Sequence, residues 1–173
     1  MQVELVNPFL AATVDVFRTM LACELSRGQP TIKRSHSPQY EVSGLIGLSG
    51  QRQGMVVVSL GRQTAIKATE ILLGERPEHV NSQVVDAVGE ITNMIAGAAK
   101  AKLAQFQLSI GLPSVICGKN HLIKFPSNST PIVLPFESPW GPVCVEVGLQ
   151  NDPDTNPPSP ADATQASEKC LVS

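Results

Sequence analysis

Four residues, Asp86, Glu90, Asn93 and Gly97, follow the spacing i, i+4, i+7, i+11. At 100° per residue this places them in a single file along one side of a helix. A carboxylate and an amide one turn apart offer acceptors and a donor to something outside the helix, which is chemistry of polar recognition. A merely solvated face is more often built from Lys and Glu, which add helix propensity. Asn within a helix costs a few tenths of a kcal/mol relative to Ala, and Gly about 1 kcal/mol, so neither Asn93 nor Gly97 serves helix stability. Gly97 also removes a side chain one turn past Asn93, where another molecule's backbone could come close. On pattern alone, an ordinary outer face without a role remains the commoner reading of such a file.

The element that carries the file is a helix predicted over 84–102, VVDAVGEITNMIAGAAKAK. Val84, Val88, Ile91, Ile95 and Ala98 fall together on its other side and demand a core. Asn81 or Ser82 caps it, and it ends before Gly111 and Pro113. A first helix opens at Asn7-Pro8, a capping residue followed by a residue suited to the first turn, and runs to about Leu25 with Phe9, Ala12, Val16, Thr19, Met20 and Cys23 as its apolar stripe. Residues 40–48 and 54–60 read as a hairpin around Ser49 to Gln53, and a helix over 63–73 stops at Gly74. Two further hairpins are expected, 114–117 with 122–125 and 131–136 with 143–149.

The chain has 173 residues, 42% of them apolar, enough for one domain with a real core. We place that domain at 1–150. Residues 151–173, rich in Pro, Ser, Thr and Asp, are expected to form a disordered tail. A net charge of −2 with scattered basic residues argues against nucleic-acid and membrane partners. No signal peptide or transmembrane span is evident, so a cytoplasmic protein is expected. The four cysteines include no CxxC pair, and the chain has no P-loop, GxSxG or HExxH motif. His36, His79 and His121 stand alone, and no metal site is indicated. Trp140, at a hairpin turn, is either a cap on the sheet or an anchor for a partner.

An internal echo is present: each half carries a long helix and later a hairpin with Gly in or near its turn. Superposing Ala11 on Asp86 puts Asp15 on Glu90 and Arg18 on Asn93. We therefore expect an α+β fold, long helices packed on antiparallel sheet, in two pseudo-repeated α/β halves, of which only the second keeps a Glu-x-x-Asn pair.

The segment DAVGEITNMIAG at 86–97 resembles the signature helix of the CheX-type chemotaxis phosphatases, relatives of the CheC group. Asn7-Pro8-Phe9, GLIGLSG at 44–50, Leu72-Leu73-Gly74, LPSVICG at 112–118 and IVLPFE at 132–137 agree in order and spacing, so the resemblance covers residues 3–149. It implies a CheC/CheX-like fold and hydrolysis of the aspartyl phosphate on a CheY-like receiver domain, with Glu90 and Asn93 as the active pair. Asp86 and Gly97 would face the partner. It also implies a homodimer formed through sheet edges and no cofactor on this chain, Mg2+ being held by the phosphorylated partner. A non-catalytic module that docks on a receiver domain or a flagellar switch component is the competing reading.

Overall fold

The computed structural model describes residues 3–119, 121–127 and 129–151. The chain begins with helix α1 (Val3–Leu21), two short strands β1 (Ser26–Arg27) and β2 (Thr31–Ile32), and the long pair β3 (Val42–Ser49) and β4 (Arg52–Leu60). Helices α2 (Arg62–Leu73) and α3 (Ser82–Ala101) follow, then a 3-10 turn (Ala104–Phe106) and short strands β5 (Ser109–Ile110) and β6 (Ser114–Cys117). The long pair β7 (Ile132–Ser138) and β8 (Gly141–Asn151) completes the described chain.

All eight strands form one antiparallel sheet in the order β1-β7-β8-β4-β3-β5, with β2 also on β7 and β6 also on β3. The three helices pack on one another and on one face of this sheet. This is the α+β arrangement expected. Alternation along β8 explains the layering: Val143, Val145 and Val147 point into the helical core, while Cys144 and Glu146 face the other way. In topology, each of α1 and α3 is followed by two short strands and a long hairpin. Each pair of short strands lies on the other half's hairpin.

Several local expectations are corrected. Helix α1 starts at Val3, so Asn7-Pro8 lies within it and not at its N-terminus. Leu5 and Val6 are buried and extend the apolar stripe, which outweighs the backbone hydrogen bond that Pro8 cannot donate. The helix stops at Leu21 because Ala22 takes the left-handed conformation, φ 48°, and Cys23 N donates to Phe17 O at 3.0 Å. No glycine marked that end. The first hairpin closes as read: its last pair is Leu48 with Gly54, so Ser49 to Gln53 lie between the paired strands, with Gly50 at φ 131°. Helix α2 ends as read, on Gly74 at φ 75°. Helix α3 ends at Ala101, and the stretch before Gly111 becomes the 3-10 turn and β5.

The expected hairpin of 114–117 with 122–125 does not form. Residues 114–117 pair with β3, and 121–125 form no strand. Ile123 and Phe125 instead bury on Val57 against the sheet face that the helices leave open, and Ile123 N donates to His36 O at 2.7 Å. On that face Lys33 Nζ lies 2.6 Å from Glu146 Oε1, with side-chain exposures of 4% and 0%. Burial pushes the Glu146 carboxyl above its ordinary range, against the opposing pull of Lys33. Burial likewise pushes the Cys144 thiol up to about 12, so it stays protonated and inert as a core residue, as does buried Cys23. Cys117 is exposed on β6. The tail 151–173, with Cys170, lies outside the described residues apart from the backbone of Asn151.

Candidate active site

Helix α3 is fixed by three features of the sequence. Asn81 caps it, its Oδ1 accepting from Val84 N at 3.2 Å. Val84, Val88, Ile91 and Ile95 are buried, as their spacing predicted. Gly44 on β3 lets the helix settle close to the sheet. A Cβ there would collide with Thr92 Oγ1 and stand 2.9 Å from Thr92 Cβ. Thr92 is itself buried, and its hydroxyl donates to Val88 O at 2.7 Å, so the tight seat leaves no unpaired polar group. On the neighbouring flank, Gly89 faces Pro113 and Val115. The helix is therefore held by the sheet beneath and by the 111–115 segment beside it.

The file on the outer side is as expected. Asp86 and Glu90 are exposed, and Asn93 and Gly97 are half-buried. No hydrogen bond or ion pair among the described residues engages Asp86, Glu90 or Asn93. Their polar atoms remain available to another molecule. A Cβ on Gly97 would meet nothing within 4 Å. Past it the surface opens into a groove of about 480 Å³ bordered by Gly97, Lys100, Ala104, Gln107, Leu108 and Ile110.

The first helix presents a different picture at the superposed positions. Asp15 Oδ1 pairs with Arg18 at 3.0 Å, and its Oδ2 with Lys102, just past α3, at 3.3 Å. This acid is engaged within the chain, whereas no ion pair among the described residues engages Glu90. His36 and His79 are exposed, and His121 Nδ1 lies 3.1 Å from Gly118 O. Trp140 packs partly against the core, and its carbonyl accepts from Thr64 at 3.3 Å, which suits a cap on the sheet end. Among the described residues no group of three or more His, Cys, Asp or Glu side chains converges, and no helix is long and apolar enough to cross a membrane.

Two features went unnoticed in the sequence. Leu112 is 91% exposed beside Pro113, and nothing in an isolated Leu signals that. Glu146 in VCVEVGL did carry a signal, a charge at the centre of an apolar strand, which requires a partner.

An antiparallel sheet with its helices on one face and a partner-free carboxylate–amide pair on the innermost helix defines a class. A CheC-like superfamily protein from Shewanella sp. PV-4 shares 35% identity and superposes with a TM-score of 0.80 over 87% of this chain and 100% of its own. The family described as Chemotaxis phosphatase CheX matches residues 42–137, more than half of the 173. The CheY-P phosphatase CheX of Thermotoga maritima is 25% identical over 127 residues, 72% of this chain and 82% of that protein. In the CheX–CheY–BeF3–Mg2+ complex from Borrelia burgdorferi, the similar chain is 26% identical with a TM-score of 0.74, covering 85% of this chain and 98% of that one. This chain belongs to the chemotaxis phosphatase CheX family.

Proposed function

We propose that this chain hydrolyses the aspartyl phosphate of a CheY-like receiver domain, with Asn93 positioning the attacking water and Glu90 aligning the partner. The observation that carries this reading is the Glu90–Asn93 pair, one turn apart on a firmly seated helix, outward-facing and without partners of its own among the described residues. Family membership and the relative found in complex with CheY support it.

Acyl phosphate hydrolysis passes through a loose, in-line transition state, so the catalyst mainly holds a water and complements charge. Water oxygen bonds to phosphorus as the acyl O–P bond breaks, giving aspartate and inorganic phosphate. The Asn93 amide accepts from the water through its oxygen and donates to a phosphoryl oxygen through its nitrogen. It brings no negative charge to repel the anion. Glu90 suits an ion pair with the lysine beside the receiver's phosphoaspartate, which sets the register between the two proteins. As a general base it would work against the adjacent phosphate charge. Asp86 and Gly97 extend the partner-facing file on either side of the pair.

Magnesium, in this scheme, is bound by the receiver's own acidic residues, and this chain supplies no cofactor. A cytoplasmic setting and a homodimer joined along sheet edges complete the reading. The deciding experiment follows the lifetime of the aspartyl phosphate on receiver domains, with Mg2+ and catalytic amounts of the protein. Wild type should shorten it with turnover. Asn93→Ala should bind the phosphorylated partner normally but lose about 100-fold in kcat, roughly 2.7 kcal/mol of transition-state stabilisation. Tight binding by wild type without phosphate release would replace the phosphatase with a docking module.

A further inference from the structure

We infer that the groove past Gly97 is a second contact site for the receiver domain, in which Lys100 takes an acidic side chain of that partner. The inference rests on the phosphatase reading for the identity of the occupant, and on the geometry of α3 and the groove for the place and the charge.

Lys100 continues the file. It stands at i+14 from Asp86, which puts it about 20° around the helix from Asn93 and about 10 Å beyond it along the axis. A lysine on a helix surface ordinarily answers an acid three or four residues away. The positions at those distances are Ala96 and Gly97 on one side and Leu103 and Ala104 on the other. Among the described residues, the ion pairs and hydrogen bonds of lysine side chains involve Lys33, Lys67, Lys102 and Lys119, and none engages Lys100. Side chains on a helix lean toward its N-terminus, and Gly97 leaves that direction open, since a Cβ there would meet nothing within 4 Å. The half-buried Lys100 thus has room to lay its stem along the groove wall and turn its ammonium toward the Asn93 side.

The groove of about 480 Å³ that Lys100 borders is largely apolar, with Ala101, Ala104, Leu108 and Ile110 around it. Its wall is set before any partner arrives. Gln107 takes the left-handed conformation, φ 49°, and backbone bonds on either side hold it there: Gln107 N donates to Ala104 O at 3.1 Å, and Gln51 N to Phe106 O at 3.2 Å. A carboxylate that enters beside Lys100 exchanges water for an apolar surround, where an opposite charge counts for more. The direction of docking is fixed as well. Glu90 and Lys100 stand about 15 Å apart along the axis, with the amide of Asn93 between them. With the receiver's lysine against Glu90 and its phosphoryl group at Asn93, the groove falls beyond the phosphoryl group, on the side away from that lysine. A receiver turned end for end would set its lysine against Lys100 and its carboxylate against Glu90, and like charges would oppose it. The occupant this arrangement suits is a carboxylate-bearing side chain of the receiver outside its magnesium site.

Lys100 touches no reacting atom in this account and acts by positioning the partner. The test uses the full chain as wild type, Lys100→Arg, Lys100→Gln and Lys100→Glu. It measures kcat and KM for the phosphorylated receiver, Kd at low and high salt for the receiver activated with beryllofluoride as an acyl phosphate analogue, Tm and oligomeric mass. Lys100→Gln should raise KM and Kd about tenfold at low salt and flatten their dependence on salt, with the change falling on KM and not on kcat. Lys100→Glu should raise both further, and Lys100→Arg should match wild type. Replacing the receiver's surface carboxylates by lysine, one at a time, should find one that restores binding to Lys100→Glu. A lysine in the last turn also favours its helix by opposing the dipole, so a lower Tm in Lys100→Gln with unchanged KM and Kd reduces Lys100 to that structural role. That result overturns the inference and leaves the phosphatase standing. Altered oligomeric mass overturns it too, by giving the groove to a second copy, and so does the failure of every receiver replacement. If wild type binds the activated receiver without turnover, the phosphatase reading fails and Kd alone decides the role of Lys100. Absence of both binding and turnover with any receiver removes the two together.

Discussion

Replacing glycine by alanine should stabilise this protein at one position and damage it at another, and the two outcomes together test how α3 is held and what faces it. At Gly97, inside α3, the added Cβ meets nothing within 4 Å, so the change carries no steric cost. Alanine then gains its helix propensity of about 0.8–1 kcal/mol over glycine, which for a domain of this size raises Tm by about 2–4 °C. At Gly44 the same Cβ collides with Thr92 Oγ1 and stands 2.9 Å from Thr92 Cβ, in a buried seat between β3 and α3. Overpacking of this kind costs about 1–3 kcal/mol, a fall of several degrees. The partner reading adds a second axis. A larger side chain at Gly97 occupies space into which the receiver must come, so Gly97→Leu should leave Tm at or above the wild-type value while KM for the phosphorylated receiver rises at least tenfold. Thermal melts followed by circular dichroism, with the aspartyl-phosphate assay on the same samples, read both axes. A lower Tm for Gly97→Ala would refute the open-space argument. Unchanged kinetics in Gly97→Leu would show that no partner backbone approaches there.

Other outcomes follow from the buried pair on the opposite sheet face. Lys33→Met leaves Glu146 without its counter-charge in a site that excludes water, and should cost about 3–5 kcal/mol near neutral pH, measured by urea unfolding; a loss under 1 kcal/mol would show the pair to be solvated. The double variant Lys33→Met/Glu146→Gln should recover much of that loss, because the unpaired charge is gone. The pH dependence has a definite sign. The folded-state pKa of Glu146 is raised from its ordinary 4.5, so its contribution favours folding below that value and is lost as pH rises through the folded pKa. Lys33→Met removes the hydrogen bond and the positive charge that pull this pKa down, so the variant should fall further behind wild type at pH 7.5 than at pH 5. Equal deficits at the two pH values would rule out Glu146 as the titrating group.

Much of the site could be read in the sequence because helix geometry is local. The 3.6-residue period sorted Val84, Val88, Ile91 and Ile95 from Asp86, Glu90, Asn93 and Gly97 without any knowledge of the rest of the chain, and the structure keeps that division. Caps with a strong residue preference were equally plain, as Asn81 and Gly74 show. The end of α1 was not, because Ala22 takes a conformation that its residue type does not announce. Its beginning was misplaced because a proline usually marks a first turn, and here burial of Leu5 and Val6 carried the helix through it.

Strand pairing behaved differently, since a strand's partner is chosen across the fold. Residues 114–117 read as a strand and are one, but their partner is β3, more than sixty residues earlier, and not the neighbouring 122–125. Period-2 alternation says that a segment is extended; it does not say which edge accepts it. The sequence by itself thus determined a helix with a core side and a chemical side, the turns that bound most of the long elements, and an order of motifs specific to one family. Tertiary structure decided the rest: which sheet face α3 covers and how closely Gly44 lets it sit, the burial of Lys33 with Glu146, and the packing of Pro113 and Val115 beside Gly89. Those depend on groups distant along the chain meeting in space, and no local preference encodes such a meeting.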